Sequence, residues 1–382
     1  MLIISLDAVG DDEYERLSAM PVFASIAAQS AVCRGVQTVF VSNTYPIHTS
    51  VSTGVMPNSH GLISNTECFP AKHPVWNDRD GLVRAKTIWE TAAEKGIESA
   101  AVFWPVTARS KAIRYNIPEV LAQPGKSQAF TSLKAGSKLL QLRMLMRHGN
   151  LLDGIGQPGR DNFAAACMAD IIRTRKPGLA LMHLTAYDSI CHENGKGSEA
   201  LDEAIESLDR NLGVLLDAAG GAGDVLVFTD HSQINVHTSV SPNEALVEMG
   251  LLLFEDGAYS LGAGGCFFEC CGGSAFFHAG SLGPPVIGEV REAAAQSVGF
   301  RRFLTGGELS VSGYENAAFG ICAKAGYVYE SFASGHKAEH GYPPDMPDYN
   351  VFYMARGFGL DPGNKEGGSL LDIAPLVVNA LK

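Results

Sequence analysis

No stretch of this sequence approaches the roughly 18 uninterrupted apolar residues that a membrane-spanning helix requires. The opening MLIISLDAVG carries only a short apolar run with no basic segment before it, so no signal peptide is expected and the protein is read as cytoplasmic. Eight cysteines are scattered at 33, 68, 167, 191, 266, 270, 271 and 322 without a CxxC pair, which favours reduced thiols over a disulfide framework. Net positive charge is missing as well. A formal charge of −12 leaves no basic patch to replace counterions, which excludes a nucleic-acid polymer as partner. A small anion would still bind wherever metal ions supplied local positive charge. No GxGxxG follows the first apolar run, and LGAGG at 261–265 lacks the strand-to-helix context of a dinucleotide site.

What is present is an ordinary globular composition, 46% hydrophobic and 18% charged, in a chain of 382 residues. That length suits one large α/β domain spanning 1–382 with insertions. LIISL at 2–6 is a short apolar run ended by Asp7, the pattern of a strand buried on both faces. Strands are also expected at 35–41, 98–104, 178–184, 224–229 and in NVFYMARG. Helices are expected at 12–29 (broken at Pro21), 86–95, 161–175, 198–218 and 369–381. The rhythm weakens over 108–160, where KLLQLRMLMR reads as a helix packed on the core, or else placed over the mouth of a site. The glycine-rich region 252–332 predicts an inserted α+β subdomain, with short strands near 266–269 and 274–278 and a helix near 287–297.

The chemistry gathers around VSNTYPIHTSVSTGVMPNSHGLISN, Val41 to Asn65. Thr44 precedes Tyr45-Pro46, a turn and helix-start signal, which puts its hydroxyl at a helix N-terminus where unpaired N–H groups favour an anion. A hydroxyl is a weak nucleophile and needs a base or a metal. Three strand ends offer that activator: LIISL runs into Asp7, GLALMHL leads to Asp188, and DVLVFT leads into Asp230 and His231. In open parallel sheets the C-terminal strand ends line the ligand crevice, so these groups should converge. Asp188 and His192, four residues apart, can hold one ion from a helical turn or tight loop. GHKAEHGYPP adds His336 and His340, with His340 in the more turn-like setting. Mixed nitrogen and carboxylate donors suit zinc, with manganese or iron as alternatives. His48 and His60 flank the Thr44 stretch as second-rank donors, and the other histidines read as packing or surface residues.

Taken together, IISLDAVG, NTYPIHTSVSTGVMPNSHGLISN, the Asp188–His192 segment, VFTDHSQ, EHGYPP and FYMARG resemble, in the same order, the type I phosphodiesterase/nucleotide pyrophosphatase branch of the alkaline phosphatase superfamily. The resemblance implies a three-layer α/β sandwich around a mostly parallel sheet. It implies two zinc ions, one held by Asp188, His192 and His340, the other by Asp7, Asp230, His231 and the Thr44 oxygen. Thr44 matches the nucleophile, Asn65 an amide that holds a non-bridging phosphoryl oxygen, and Tyr45 an aromatic position that stacks on a leaving nucleoside. The start here reads LDAVG where LDG is usual, and TDHSQ replaces a DHGM-like ending.

The activity so implied is hydrolysis of phosphodiester or pyrophosphate bonds of small anionic substrates such as nucleotides, through a phospho-threonine intermediate. No arginine lies beside Thr44 to meet the extra charge of a monoester, and the Cys-x-Pro-x-Arg context of a sulfatase nucleophile is absent. A phosphomonoesterase or a phosphonate hydrolase using the same two-metal site is the alternative.

Overall fold

The computed structural model describes Met1–Lys382 except Ile155, Ala222 and Glu366. At its centre is an eight-stranded sheet formed by β1 (Leu2–Leu6), β2 (Ala31–Val36), β3 (Ser99–Val102), β4 (Tyr115–Ile117), β5 (Leu179–Leu184), β6 (Val225–Thr229), β7 (Val351–Arg356) and β8 (Gly363–Lys365). Across the sheet the order is β8-β2-β7-β6-β1-β5-β3-β4. β7 runs antiparallel to both β2 and β6, whereas the pairs β1–β5, β1–β6, β3–β5, β3–β4 and β8–β2 are parallel. Leu6 pairs with Leu184 on one side and with Thr229 on the other, so β1, β5 and β6 end at the same level.

Alternation along β1 explains why its apolar run is continuous. Leu2, Ile4 and Leu6 face the helices Pro21–Ala27, Gly159–Arg175 and Ala200–Ala219, while Ile3 faces Thr44–Thr53, Ile88–Glu94 and Ile373–Ala380. Successive side chains in a strand point to opposite faces, and a sheet covered on both sides needs both sets apolar. The result is the expected three-layer sandwich.

A second, antiparallel sheet of four strands (Phe267–Cys270, Ser274–His278, Phe319–Ala323 and Phe300–Phe303, in that spatial order) lies within the glycine-rich region. Its core is Phe268, Phe277, Phe319 and Ile321, with Val290 from the helix Pro284–Gln296. Phe40 and Val41 pack against Phe276 and Tyr314 of this unit, and the Phe276 and Tyr314 rings stack with centroids 3.6 Å apart.

This seam corrects the strand expected at 35–41. The strand is Ala31–Val36, and Val39, Phe40 and Val41 are buried without joining a sheet. Their apolar character serves a loop clamped between two cores, which a short apolar run cannot distinguish from a buried strand. Elsewhere the differences are boundary shifts: Ser99–Val102 against 98–104, and Ile88–Glu94, opened by a Thr87–Glu90 capping box, against 86–95. The basic Leu/Met segment forms the helix Lys138–His148, and only Gln141 and Met144 are buried on it. It touches the core along one edge.

Candidate active site

The parallel strands deliver their following residues to one edge of the sheet. Asp7 follows β1, Asp230 and His231 follow β6, and the helix Ala186–Asn194 just beyond β5 carries Asp188 and His192 on one face, a turn apart. The helix Thr44–Thr53 begins at the same edge, with Thr44 as its first residue and Pro46 within the first turn, where the N–H that proline lacks would have no helical partner. His340 follows directly on the short strand Ala338–Glu339.

One donor set is Asp7, Asp230 and His231, whose ligand atoms all lie within 4.8 Å of one another. His231 Nε2 stands 3.5 Å from Asp7 Oδ1 and 3.5 Å from Asp230 Oδ2. Thr44 Oγ1 is 3.2 Å from the same nitrogen. The Asp230 Oδ1 atom accepts from the Ala8 and His231 backbone N–H groups at 3.1 and 2.9 Å, which fixes the carboxylate and leaves Oδ2 without a partner. Asp7 Oδ1 is likewise buried and unpartnered. Burial, and then mutual repulsion with Asp230, pushes the Asp7 carboxyl well above the usual carboxylate range, and burial raises Asp230 too. Two buried carboxylate oxygens without partners, beside a neutral histidine, make a candidate cation site, because a positive charge there would offset the desolvation that otherwise favours their protonation.

A second donor set also reaches His231. Asp188, His231 and His340 form one close group, and His192, Glu339 and His340 another. His192 Nε2 is 3.2 Å from Asp188 Oδ1. Carbonyl oxygens orient both rings: His192 Nδ1 donates to Ala338 O at 2.8 Å and His340 Nδ1 to Ser42 O at 3.1 Å, so in the neutral form of each ring Nε2 carries the lone pair for a metal. Burial lowers His231 and His340 to about 4, which keeps both neutral and ready to ligate. Burial also acts to lower His192, but Asp188 and Glu339 outweigh it and raise this histidine to about 10.

Asn65 accepts a hydrogen bond from the Tyr45 N–H through Oδ1 at 2.8 Å, and its amide nitrogen makes none among the described residues. The Thr44 backbone N–H is equally free of protein partners there, so two donors flank the hydroxyl. Tyr45 is placed differently from its sequence expectation. It is 2% exposed, and its ring packs on Trp76 with centroids 5.3 Å apart, beside Leu62 and Val106. A covered ring is not an open stacking platform.

His48 does stand behind the site: Nδ1 donates to Thr44 O at 2.8 Å and lies 3.6 Å from Asp230 Oδ2. His60 does not, since its Nε2 bonds Ser50 Oγ further along the helix. His336 is partly exposed and pairs with Glu339. Several groups escaped sequence reasoning. His183 packs against His48 and puts Nε2 at 3.2 Å from Asp7 Oδ2, Gln233 Nε2 donates to Asp188 Oδ1 at 2.5 Å, and Glu339 borders His192 and His340. The position of His183, the penultimate residue of β5 on the strand that leads to Asp188, was the available signal.

The family model described as "Type I phosphodiesterase / nucleotide pyrophosphatase" matches residues 1–279. The chain belongs to the type I phosphodiesterase/nucleotide pyrophosphatase family. The matched span of this family holds every site residue above except His336, Glu339 and His340. The family is metal-dependent, and the two donor sets fit that dependence. Among curated relatives, the mouse ectonucleotide pyrophosphatase/phosphodiesterase family member 1 is 21% identical over 229 residues, 56% of this chain and 21% of the relative. An uncharacterized pyrophosphatase/phosphodiesterase of Schizosaccharomyces pombe is 23% identical over 230 residues, 57% of this chain and 40% of the relative. The matches thus span less than half the length of these relatives. Two solved folds are similar over the whole chain. Murine ectonucleotide pyrophosphatase/phosphodiesterase 5 has a TM-score of 0.70 at 17% identity and is covered to 94%. A phosphonoacetate hydrolase from Sinorhizobium meliloti has a TM-score of 0.68 at 15% identity and is covered to 95%.

Proposed function

We propose that this protein is a phosphoric ester hydrolase that cleaves phosphodiester or pyrophosphate bonds of nucleotides or related small molecules, with Thr44 as nucleophile. The observation that carries this reading is the Thr44 hydroxyl at a helix start, 3.2 Å from His231 Nε2 and facing the unpartnered oxygens of Asp7 and Asp230. A solved structure of the murine phosphodiesterase 5, described as an inactive threonine-to-alanine variant in complex with AMP, supports a threonine in that role.

Asp7, Asp230 and His231 would hold one divalent cation and Asp188, His192 and His340 the other, and zinc suits these donors best, with manganese or iron also compatible. Such cations, when bound, lower the pKa of an adjacent hydroxyl and offset negative charge on phosphate. The residues do the rest. Thr44 Oγ forms a bond to phosphorus while the P–O bond to the leaving group breaks, giving phospho-threonine and a released alcohol or phosphate. The Thr44 N–H and the Asn65 amide nitrogen hold the non-bridging oxygens as their charge grows. A water then adds to phosphorus and restores the Thr44 hydroxyl, with net retention at phosphorus.

The site's acidity favours a diester. Glu339 borders the second donor set and is held ionised, despite its burial, by the histidines around it, so it adds negative charge near the phosphate, whereas burial raises Glu119 near the first set to about 8. A monoester dianion meets more repulsion there than a diester monoanion. The likeness in fold to phosphonoacetate hydrolase keeps a phosphonate substrate as the second reading. The test is a panel of a nitrophenyl nucleotide diester, nitrophenyl phosphate and phosphonoacetate on metal-replete protein. Fastest turnover of the diester supports the reading, and a strong preference for either of the others overturns it.

A further inference from the structure

Beside the candidate metal centre lies a cavity of about 470 Å³, within the size range of small-molecule sites. Its walls come from the ends of β3 and β4 and from the helices Gln128–Ala135 and Lys138–His148. The inner end adjoins the site. There Glu119 Oε2 stands 3.9 Å from His183 Nδ1, and His183 Nε2 in turn is 3.2 Å from Asp7 Oδ2. Arg160 lines the same end and donates to Thr185 Oγ1 at 3.1 Å, three residues before Asp188.

Away from that end the cavity is largely apolar, because most of its polar lining groups are already engaged. Gln128 Nε2 donates to Val120 O and its Oε1 accepts from Ala122 N, while Gln141 Nε2 donates to Ser132 O. A nucleobase entering here would lose hydrogen bonds to water and regain few of them from this lining. At the outer end Leu121, Leu142 and Leu145 are 54%, 43% and 48% exposed, so apolar surface continues from the cavity wall to solvent. A flexible or aromatic hydrocarbon limb would remove that surface from water.

We propose that this cavity receives an apolar ester limb of the substrate, so that the protein acts on phosphodiesters in which the phosphate carries an alkyl or aryl chain. The inference rests on the phosphodiesterase reading and narrows it. Glu119 and Arg160 mark the junction where the polar phosphate gives way to the chain. Tyr45, covered by Trp76, takes no part in holding a base.

The experiment uses nitrophenyl alkyl phosphates with methyl, butyl and octyl chains, together with calorimetric binding of methyl- and octylphosphonate. The wild-type ratio of kcat/KM for octyl over methyl should be large, rising by up to about fourfold per methylene. In Ser132→Trp, which fills the cavity, and Leu145→Asp, which charges its rim, that ratio should fall toward one. A general loss of folding would lower both rates and leave the ratio unmoved. Equal wild-type rates for methyl and octyl chains, or a ratio that survives both variants, overturn the proposal. If no diester is turned over but octylphosphonate still binds tighter than methylphosphonate, and both variants abolish the difference, the cavity assignment holds and the phosphodiesterase reading fails. If neither turnover nor binding depends on the chain, the cavity assignment fails.

Discussion

The two halves of the metal centre are built differently. Asp7, Asp230 and His231 sit directly at strand ends, with side chains 6%, 0% and 0% exposed. Asp188, His192 and His340 come from a helix and a returning loop, with side chains 18%, 13% and 13% exposed. Strand ends in register fix the first set as rigidly as the sheet itself, whereas the second set depends on a contact between segments remote in sequence. On the proposed mechanism the first half is the enclosed seat of the Thr44 nucleophile. The second is the more open side and, on the same mechanism, the one that substrate and water would reach.

That contrast predicts a graded series of effects. Thr44→Ala should abolish turnover by several orders of magnitude while bound metal, measured by elemental analysis, stays near the wild-type value. Next, Asp230→Asn should remove the enclosed cation and most activity together. His192→Ala should release only the cation of the open half, so that the two variants each retain about one equivalent of metal but differ in whether a Thr44 adduct can form. Loss of both equivalents from either variant would break the comparison. Dialysis against a chelator sharpens it, and the open half should empty first. Smaller still, His183→Asn removes the group behind Asp7 and should weaken metal affinity by roughly 10- to 100-fold without touching substrate directly.

The smallest effect concerns stability. Burial, only partly offset by a backbone hydrogen bond at Pro46, lowers His60 from 6.5 to about 4. Between those values the unfolded chain binds the extra proton, so the stability contributed by this neutral histidine is present above about 6.5 and lost as pH falls toward about 4. One such proton changes unfolding free energy by about 1.4 kcal/mol per pH unit at most. His60→Gln should flatten the acid limb of a denaturation series by that amount at most, with no change in metal content.

How much of this was legible follows the same division. Strand-end residues carry a local signal, an apolar run stopped by Asp, and parallel pairing turns that signal into convergence, so Asp7, Asp230 and His231 could be read from the chain. Asp188 and His192 were legible from their spacing. Glu339, His183 and Gln233 were not, because each matters through a neighbour brought close by folding and none has a sequence spacing of its own. The loop at Val39–Val41 misled for a related reason: burial between two cores makes the same apolar pattern as burial in a sheet. Tyr45 lay in the right stretch, but the packing of Trp76 decides its exposure. The cavity was illegible, since the apolar residues of Lys138–His148 read equally well as core.

The most direct measurement is mass spectrometry of protein quenched in acid during turnover of a nitrophenyl diester. A phosphoryl ester carried on the peptide containing Thr44, absent from Thr44→Ala, is the predicted result. Active wild-type protein that shows no such adduct, beside a Thr44→Ala variant that keeps its turnover, would contradict the account.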